Sequence, residues 1–257
     1  MSDGTAAHRE RIMAHLVAYF PNEQACLDIA RALVDGGCTM LEVQFPFSDP
    51  TADGVLIQKA CAQSLARGFR VQGGFELLAA LRAMTEIPIF VMSYANLVVA
   101  RGVESFLRDC SAVSVQGVII PDLPPDYDEG LFALGKALGL EVIPVIAPTV
   151  SDQRLDLYAH TDSQYIYTAL RKGITGAFTH LGAENIRFLQ KVSATGKRIL
   201  AGFGVQARSQ VEALSRYVYA SVIGSLFIRV IEEHPIEALY AAVLRKMLEL
   251  SGMTDVD

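Results

Sequence analysis

The chain has 257 residues, of which 51% are hydrophobic, and its formal net charge at pH 7 is −6. This apolar content suffices for a large core and excludes an intrinsically disordered chain. The negative charge, with no dense basic stripe, argues against a general nucleic-acid binder. It leaves room for a phosphorylated small molecule, since backbone N–H groups can hold one phosphate.

Short apolar runs alternate with longer amphipathic stretches along the chain. Runs rich in Val, Ile, Phe or Tyr indicate strands that are buried on both faces. The predicted strands span residues 15–20, 40–43, 88–94, 117–121, 141–146, 164–169, 198–201 and 219–223. The predicted helices span residues 22–35, 54–66, 74–84, 101–109, 127–138, 152–159, 183–193, 207–215 and 235–250. Asn22 and either Ser151 or Asp152 are expected N-caps, and glycines 36, 139 and 196 are expected helix stops.

This alternation predicts an α/β fold. Eight strands are each followed by at least one helix, and an extra helix follows the second strand. A single (β/α)8 TIM barrel spanning residues 1–257 is therefore the expected architecture. A doubly wound open sheet is the rival, which alternation alone does not exclude. In a barrel, the chemistry should lie just after the carboxyl ends of the strands.

One carboxylate stands out inside a predicted strand. Glu42 lies in the apolar run MLEVQF, where burial would raise its pKa and suit it to general acid–base work. The alternative is that Glu42 points outward or pairs with a buried arginine. The loop that follows carries two prolines and two aspartates, Asp49 and Asp53. It can bring Asp53 and Glu42 to one pocket. Turn formation is the simpler role for Asp49, and helix capping is an alternative role for Asp53.

The same stretch carries a long motif. It reads Glu42-x-x-x-Pro46-Phe47-Ser48-Asp49-Pro50-x-Ala52-Asp53-Gly54-x-x-Ile57-Gln58 and resembles the signature of the tryptophan synthase alpha subunit family. The resemblance continues, in order and spacing, in Met92-x-Tyr94-x-Asn96, Pro121-Asp122-Leu123-Pro124, Ala147-Pro148-Thr149, Gly173-Ile174-Thr175-Gly176, Gly202-Phe203-Gly204-Val205 and Gly224-Ser225. It covers roughly residues 25–233 and implies a (β/α)8 barrel, in agreement with the strand count.

The resemblance also implies an activity. The family cleaves indole-3-glycerol phosphate to indole and glyceraldehyde 3-phosphate in a retro-aldol reaction. Glu42 would move the protons, and Asp53 would bind the indole N–H and stabilise the cationic intermediate. Tyr94, Tyr167 and Thr175 would contact the substrate, although core packing is the alternative role of the two tyrosines.

Glycines near the ends of the last two predicted strands indicate a phosphate site. TIM barrels commonly bind phosphate in these loops, against a helix N-terminus, although a lone GFG is often only a turn. The resemblance implies that Gly204, Gly224, Ser225 and, after the sixth strand, Gly176 surround the substrate phosphate.

The glycine-hinged loop 169–180 has the character of a closing lid, although an ordinary solvated loop is the alternative. The resemblance implies a mobile loop here, which Arg171 helps to order through contacts that include Asp49 and Thr175.

No metal and no organic cofactor is expected on this chain. The resemblance implies a β subunit that carries pyridoxal phosphate, receives indole through a tunnel and forms an α2β2 tetramer with this chain. No apolar stretch reaches the roughly 18 residues of a membrane span, and charges from the first residues argue against a signal peptide. Four cysteines without CxxC spacing are expected to be free thiols in a reducing cytoplasm.

Several positions depart from the family pattern near the expected pocket. Gln44 stands where glycine is usual, Val55 replaces a common proline, and His15 stands where a cavity phenylalanine is common. The lid reads Ala-Leu-Arg-Lys, where a serine usually precedes the arginine. His15, in the first predicted strand, could face the substrate cavity, but a histidine satisfied within the barrel is the favoured role. These changes leave three hypotheses: an active lyase subunit, a weakly catalytic allosteric activator of a β partner, and a stand-alone lyase or another phosphate-binding barrel enzyme.

Overall fold

The computed structural model describes residues 10–170, 181–202 and 204–253. Within them, the strands form one sheet in which every pair is parallel, in the order β5-β4-β3-β2-β1-β9-β8-β7-β6. The strands are β1 (Ile12–Val17), β2 (Met40–Gln44), β3 (Ile89–Met92), β4 (Gly117–Ile119), β5 (Glu141–Ile143), β6 (Val145–Ile146), β7 (Tyr165–Ala169), β8 (Arg198–Gly202) and β9 (Ala220–Ile223).

The two edge strands of this sheet, β5 and β6, are separated along the chain by Pro144 alone. Proline has no N–H to donate, so it interrupts the strand predicted at 141–146. Its carbonyl still accepts a hydrogen bond from the Tyr167 N–H at 2.9 Å, while the Glu141 N–H bonds the Gln116 carbonyl at 3.0 Å. The interrupted strand thus joins both edges and closes the sheet into a barrel. This closure excludes the open doubly wound sheet and confirms the predicted barrel.

Helices follow the strands around the barrel, and two of them separate β2 from β3, as predicted. They are α1 (Glu23–Asp35), α2 (Val55–Ala66), α3 (Val71–Met84), α4 (Ala95–Arg101), α5 (Val103–Ala112), α6 (Leu131–Ala137), α7 (Asp152–Ala159), α8 (Ala183–Ser193), α9 (Arg208–Ser215), α10 (Ser225–Glu233) and α11 (Leu239–Ser251). A 3₁₀ turn at Ile236–Ala238 precedes α11. The predicted caps are present, since Asn22 accepts a bond from Ala25 N–H at 2.9 Å and Ser151 from Arg154 N–H at 3.2 Å.

Several predicted bounds were wrong. The first strand lies at 12–17 instead of 15–20, because the chain turns after Val17, whose carbonyl accepts from the Phe20 N–H at 3.1 Å. Helices α4 and α10 were missed; the apolar run from 217 to 231 conceals the boundary between β9 and α10. Helix α3 includes Gly74, where a Cβ would lie 2.6 Å from Phe45 Cζ. That glycine permits close packing and does not break the helix.

The apolar side chains form two layers, one inside the barrel and one between the strands and the helices. Successive residues of a strand point to opposite faces. On β1, Met13 belongs to the inner layer and Leu16 to the outer layer. On β2, Met40 lies inside and Leu41 outside, so Glu42 shares the inward face with Met40. Strand periodicity thus directs this carboxylate into the barrel.

The four cysteines are free and buried. Burial raises the pKa of the thiols at Cys26, Cys38 and Cys61 to about 12, so they are poor nucleophiles at neutral pH. Within the described ranges, no helix is long and apolar enough to cross a membrane.

Candidate active site

A pocket opens at the carboxyl ends of the strands. This is the face where barrel enzymes carry their chemistry. Its wall combines apolar side chains with a few polar groups and glycines: His15, Glu42, Ala52, Asp53, Ile57, Met92, Ile119, Pro121, Val145, Tyr167, Ala169, Gly202, Gly204, Val205, Val222, Gly224 and Ser225.

Glu42 projects into this pocket from β2 and is only 2% exposed. Its register partner on the parallel strand β1 is His15, whose Nδ1 lies 3.0 Å from Glu42 Oε2. The outward orientation considered from the sequence is therefore wrong, and the partner is a histidine instead of an arginine. The carboxylate is held inside the barrel by a neighbouring base.

His15 is 4% exposed and also lines the pocket. Burial lowers the pKa of its imidazole, but the charge of Glu42, the hydrogen bond to Glu42 and the charge of Asp53 together raise the pKa above 6.5. The Nε2 atom is buried and has no hydrogen-bond partner within the described part of the chain. The favoured role, a satisfied barrel histidine, therefore holds for Nδ1 but not for Nε2, and the alternative that His15 faces the cavity agrees with the pocket lining.

Asp53 lies in the loop between β2 and α2 and is 7% exposed. Its Oδ2 accepts hydrogen bonds from Gln44 Nε2 at 2.7 Å and from Tyr94 Oη at 2.8 Å. Gly54, not Asp53, is the N-cap residue of α2, so the helix-capping alternative is wrong. Burial raises the pKa of the Asp53 carboxyl, whereas His15 and the bonds from Tyr94 and Gln44 oppose that shift.

The two tyrosines predicted to contact a substrate occupy different places. Tyr167 lines the pocket, and burial raises the pKa of its hydroxyl well above 10, so it stays protonated. Tyr94 lies behind Asp53: it stacks on Phe47 with ring centroids 5.5 Å apart and accepts a bond from Ala52 N–H at 3.1 Å. Tyr94 therefore holds Asp53 and is not part of the pocket wall.

Gln44 is a further residue of the site, recognised in the sequence only as a departure from the family pattern. Its side chain points inward, one step beyond Glu42 on the same face of β2, and it is fully buried. Both donors to Asp53, Gln44 and Tyr94, reach the same oxygen, Oδ2. Among the described residues, none donates to Oδ1.

Gly204, Gly224 and Ser225 all line the pocket. Helix α10 begins at Ser225, with Gly224 as its N-cap, so the N–H groups of its first turn and its positive dipole end lie at the pocket. A Cβ at Gly224 would lie 3.0 Å from His15 Cδ2, which shows how closely the imidazole approaches this loop. The arrangement can bind an anion without any lysine or arginine.

The remaining predicted site residues belong to the loop 169–180 and to the loop after β2. Arg171, Thr175 and Gly176 fall outside the described residues. Asp49 is exposed and accepts a bond from its neighbour Ser48 at 2.6 Å. The described ranges contain no group of three or more His, Cys, Asp or Glu side chains that could hold a metal ion.

Comparison with known sequences finds likeness along the whole chain. The family model of the tryptophan synthase alpha chain matches residues 1–255. The tryptophan synthase alpha chain of Helicobacter hepaticus is 39% identical over 238 residues, which are 89% of this chain and 88% of that one.

Solved structures give the same result for the fold. A chain in a structure of Mycobacterium tuberculosis tryptophan synthase superposes with a TM-score of 0.87 at 26% identity, covering 97% of this chain and 94% of that chain. A chain of the Pyrococcus furiosus tryptophan synthase complex gives a TM-score of 0.86 at 26% identity, covering 95% of this chain and 99% of that one. Sequence and structure therefore point to one family.

Proposed function

The chain belongs to the tryptophan synthase alpha chain family, and we propose that the pocket around Glu42 and Asp53 carries out the reaction of this family. The members are carbon–carbon lyases that cleave indole-3-glycerol phosphate to indole and glyceraldehyde 3-phosphate. One observation carries the proposal. Two buried carboxylates face the same pocket as Gly224 and Ser225 at the start of α10. Acid–base groups, a partner for an indole N–H and an anion site thus converge on one cavity.

Glu42 is the proton-transfer residue. Cleavage adds a proton to C3 of the indole ring and removes a proton from the hydroxyl on the carbon attached to C3. The bond between these two carbons then breaks, its electron pair restores the aromatic ring, and the former alcohol carbon becomes the aldehyde. The two proton transfers balance, so a single carboxyl group can serve as acid and then as base.

Asp53 stabilises the charge that develops on the ring. Protonation at C3 leaves the positive charge on the indole nitrogen, and the Oδ1 of Asp53, to which no described residue donates, can accept the N–H. Gln44 and Tyr94 fix the other oxygen, so the carboxylate does not need to reorient when the charge appears. Such preorganised electrostatic stabilisation is commonly the largest contribution to catalysis.

The substrate phosphate is assigned to Gly204, Gly224 and Ser225, and the apolar wall formed by residues such as Ile57 and Val145 surrounds the ring. Tyr167 faces the same cavity and supports substrate binding. The positive end of α10 compensates the phosphate charge, which explains why a chain of net charge −6 can hold an anionic substrate.

The roles of the remaining residues follow the family pattern. Thr175 is assigned to the substrate, Gly176 to the phosphate, and Arg171 with Asp49 to the closing of the lid. Of these four, Asp49 alone is described, and it lies on an exposed loop, away from the pocket wall.

The proposed partner is a tryptophan synthase β chain, arranged with this chain as α2β2. The related Pyrococcus furiosus structure is that of a tryptophan synthase complex. Val55 and Tyr127 are 70% and 78% exposed and follow β2 and β4, on the side of the barrel where the pocket opens. In this assembly pyridoxal phosphate belongs to the β chain, and a cytoplasmic location matches the biosynthetic role.

Release of indole from indole-3-glycerol phosphate tests the proposal. We expect the chain to turn over slowly alone and faster when a tryptophan synthase β chain is added, with indole quantified by chromatography. Full turnover without the β chain would identify a stand-alone lyase. If no indole forms even with the β chain, while that chain's own synthesis of tryptophan from indole and serine is stimulated, the protein is an allosteric activator and the lyase proposal is wrong.

A further inference from the structure

The proton transfers proposed for Glu42 do not involve His15, although the two side chains are in direct contact. Each residue is the register partner of the other on β1 and β2, and Nδ1 lies 3.0 Å from Oε2. The imidazole is a second proton-carrying group in direct contact with the acid–base residue. The other ring nitrogen, Nε2, is buried without a hydrogen-bond partner in the described ranges.

We propose that His15 is a positioning residue that orients the Glu42 carboxylate and stores the proton that Glu42 delivers to the indole ring. The inference rests on the proposed function. His15 acts through Glu42 and need not touch the reacting atoms.

The charges around the ring favour this storage. Glu42 faces the ring from β2 and Asp53 from the loop after β2, and both attract a proton to it. Tyr167 on β7 and Tyr94 after β3 are phenols whose pKa values burial raises, so they remain neutral. Strand β9, on the other side of β1, places Val222 at the pocket. These groups include two carboxylates and no cation, so they favour the protonated, imidazolium form of His15.

The His15–Glu42 pair loses one proton and regains one proton in each turnover. With one proton, the pair exists as imidazolium and carboxylate, or as imidazole and carboxylic acid. The second form gives its proton to C3 and leaves a neutral imidazole beside a carboxylate. When the carbon–carbon bond breaks, Glu42 accepts the hydroxyl proton, and this proton returns to the pair. The enzyme ends in its starting state.

His15→Asn separates orientation from proton storage. The Asn amide can still donate a hydrogen bond to Glu42, but it does not titrate. We expect kcat at pH 8, measured with the β chain present, to fall about 10²-fold, while KM changes less than about threefold. The alkaline limb of the kcat–pH profile should move to lower pH, because the imidazole that holds the proton in the wild type is absent.

His234→Asn is the matched control, because His234 bonds the Val230 carbonyl at 2.8 Å and is not in the pocket wall. It should leave kcat and the alkaline limb unchanged. If His15→Asn also keeps the wild-type kcat and limb, proton storage by His15 is wrong. If the wild-type chain releases no indole, the proposed function fails instead.

A second measurement does not require turnover. In ¹⁵N-edited spectra of the free protein, more than half of the His15 rings should carry protons on both nitrogens at pH 6.5, and Glu42→Gln should lower the midpoint of this titration. A ring that is mainly neutral at pH 6.5, or a midpoint unaffected by Glu42→Gln, would overturn the inference even if His15→Asn failed to fold.

Discussion

Glu42→Gln should reduce the release of indole from indole-3-glycerol phosphate about 10³-fold in kcat, within the range that general acid–base groups contribute. Glutamine keeps the shape of the side chain and can accept a hydrogen bond from His15, but it neither accepts nor donates a proton as a carboxyl group does. Because other residues of the pocket bind the phosphate and the indole N–H, KM should change little. Steady-state kinetics with the β chain present measure both constants.

Glu104→Gln is the control for this substitution. Glu104 is exposed on α5 and pairs with Arg108, so the same chemical change there should leave kcat unaltered. Turnover of Glu42→Gln within about threefold of the wild type would show that another group moves the protons. The assignment of Glu42 would then be wrong, although the family membership would stand.

Asp53→Asn should lower kcat by about 10²-fold, the scale on which the loss of one preorganised electrostatic contact is felt. The substitution removes the negative charge that faces the cationic ring. It also sets an amide against the Gln44 amide that now donates to Oδ2 at 2.7 Å. The effect should appear in kcat, because the charge develops only during reaction.

Asp156→Asn is the control for Asp53→Asn. Asp156 lies on α7 and its side chain is 76% exposed, so its neutralisation should not alter the kinetics. A rise in KM at unchanged kcat for Asp53→Asn would indicate that Asp53 only binds the ground state. The proposed stabilisation of the intermediate would then be wrong.

The barrel could be predicted from the sequence because it depends on local patterns. Short apolar runs separated by amphipathic stretches define both the strands and the helices between them, and periodicity within a run decides which residues point inward. Glu42 was recognisable as a charged residue in an apolar strand. The glycines at 204 and 224 were recognisable because they follow the last two strands of the barrel.

The contacts within the site could not be predicted in the same way. The bond between His15 and Glu42 joins residues 27 positions apart and depends on the register between β1 and β2. The bond from Gln44 to Asp53 depends on the path of the loop that returns over β2. These are properties of tertiary structure, and no local pattern encodes them. The boundary of α10 was missed for the opposite reason, since one apolar run covers a strand and a helix.

The arrangement explains how substitutions near the pocket can coexist with a retained family chemistry. Gln44 supplies a second donor to Asp53, and His15 supplies a partner for Glu42. Gln44 and His15 thus each form a hydrogen bond with one of the two carboxylates. The polar departures at positions 15 and 44 therefore reinforce the pair of carboxylates.

The most direct test of this account is a crystal structure of the Glu42→Gln variant with indole-3-glycerol phosphate bound. The phosphate should lie among Gly204, Gly224 and Ser225 at the start of α10, and the indole nitrogen should lie within about 3 Å of Asp53 Oδ1, the distance of an N–H···O hydrogen bond. The side chain at position 42 should face C3 of the ring. A phosphate bound elsewhere, or an indole ring turned away from Asp53, would contradict the account.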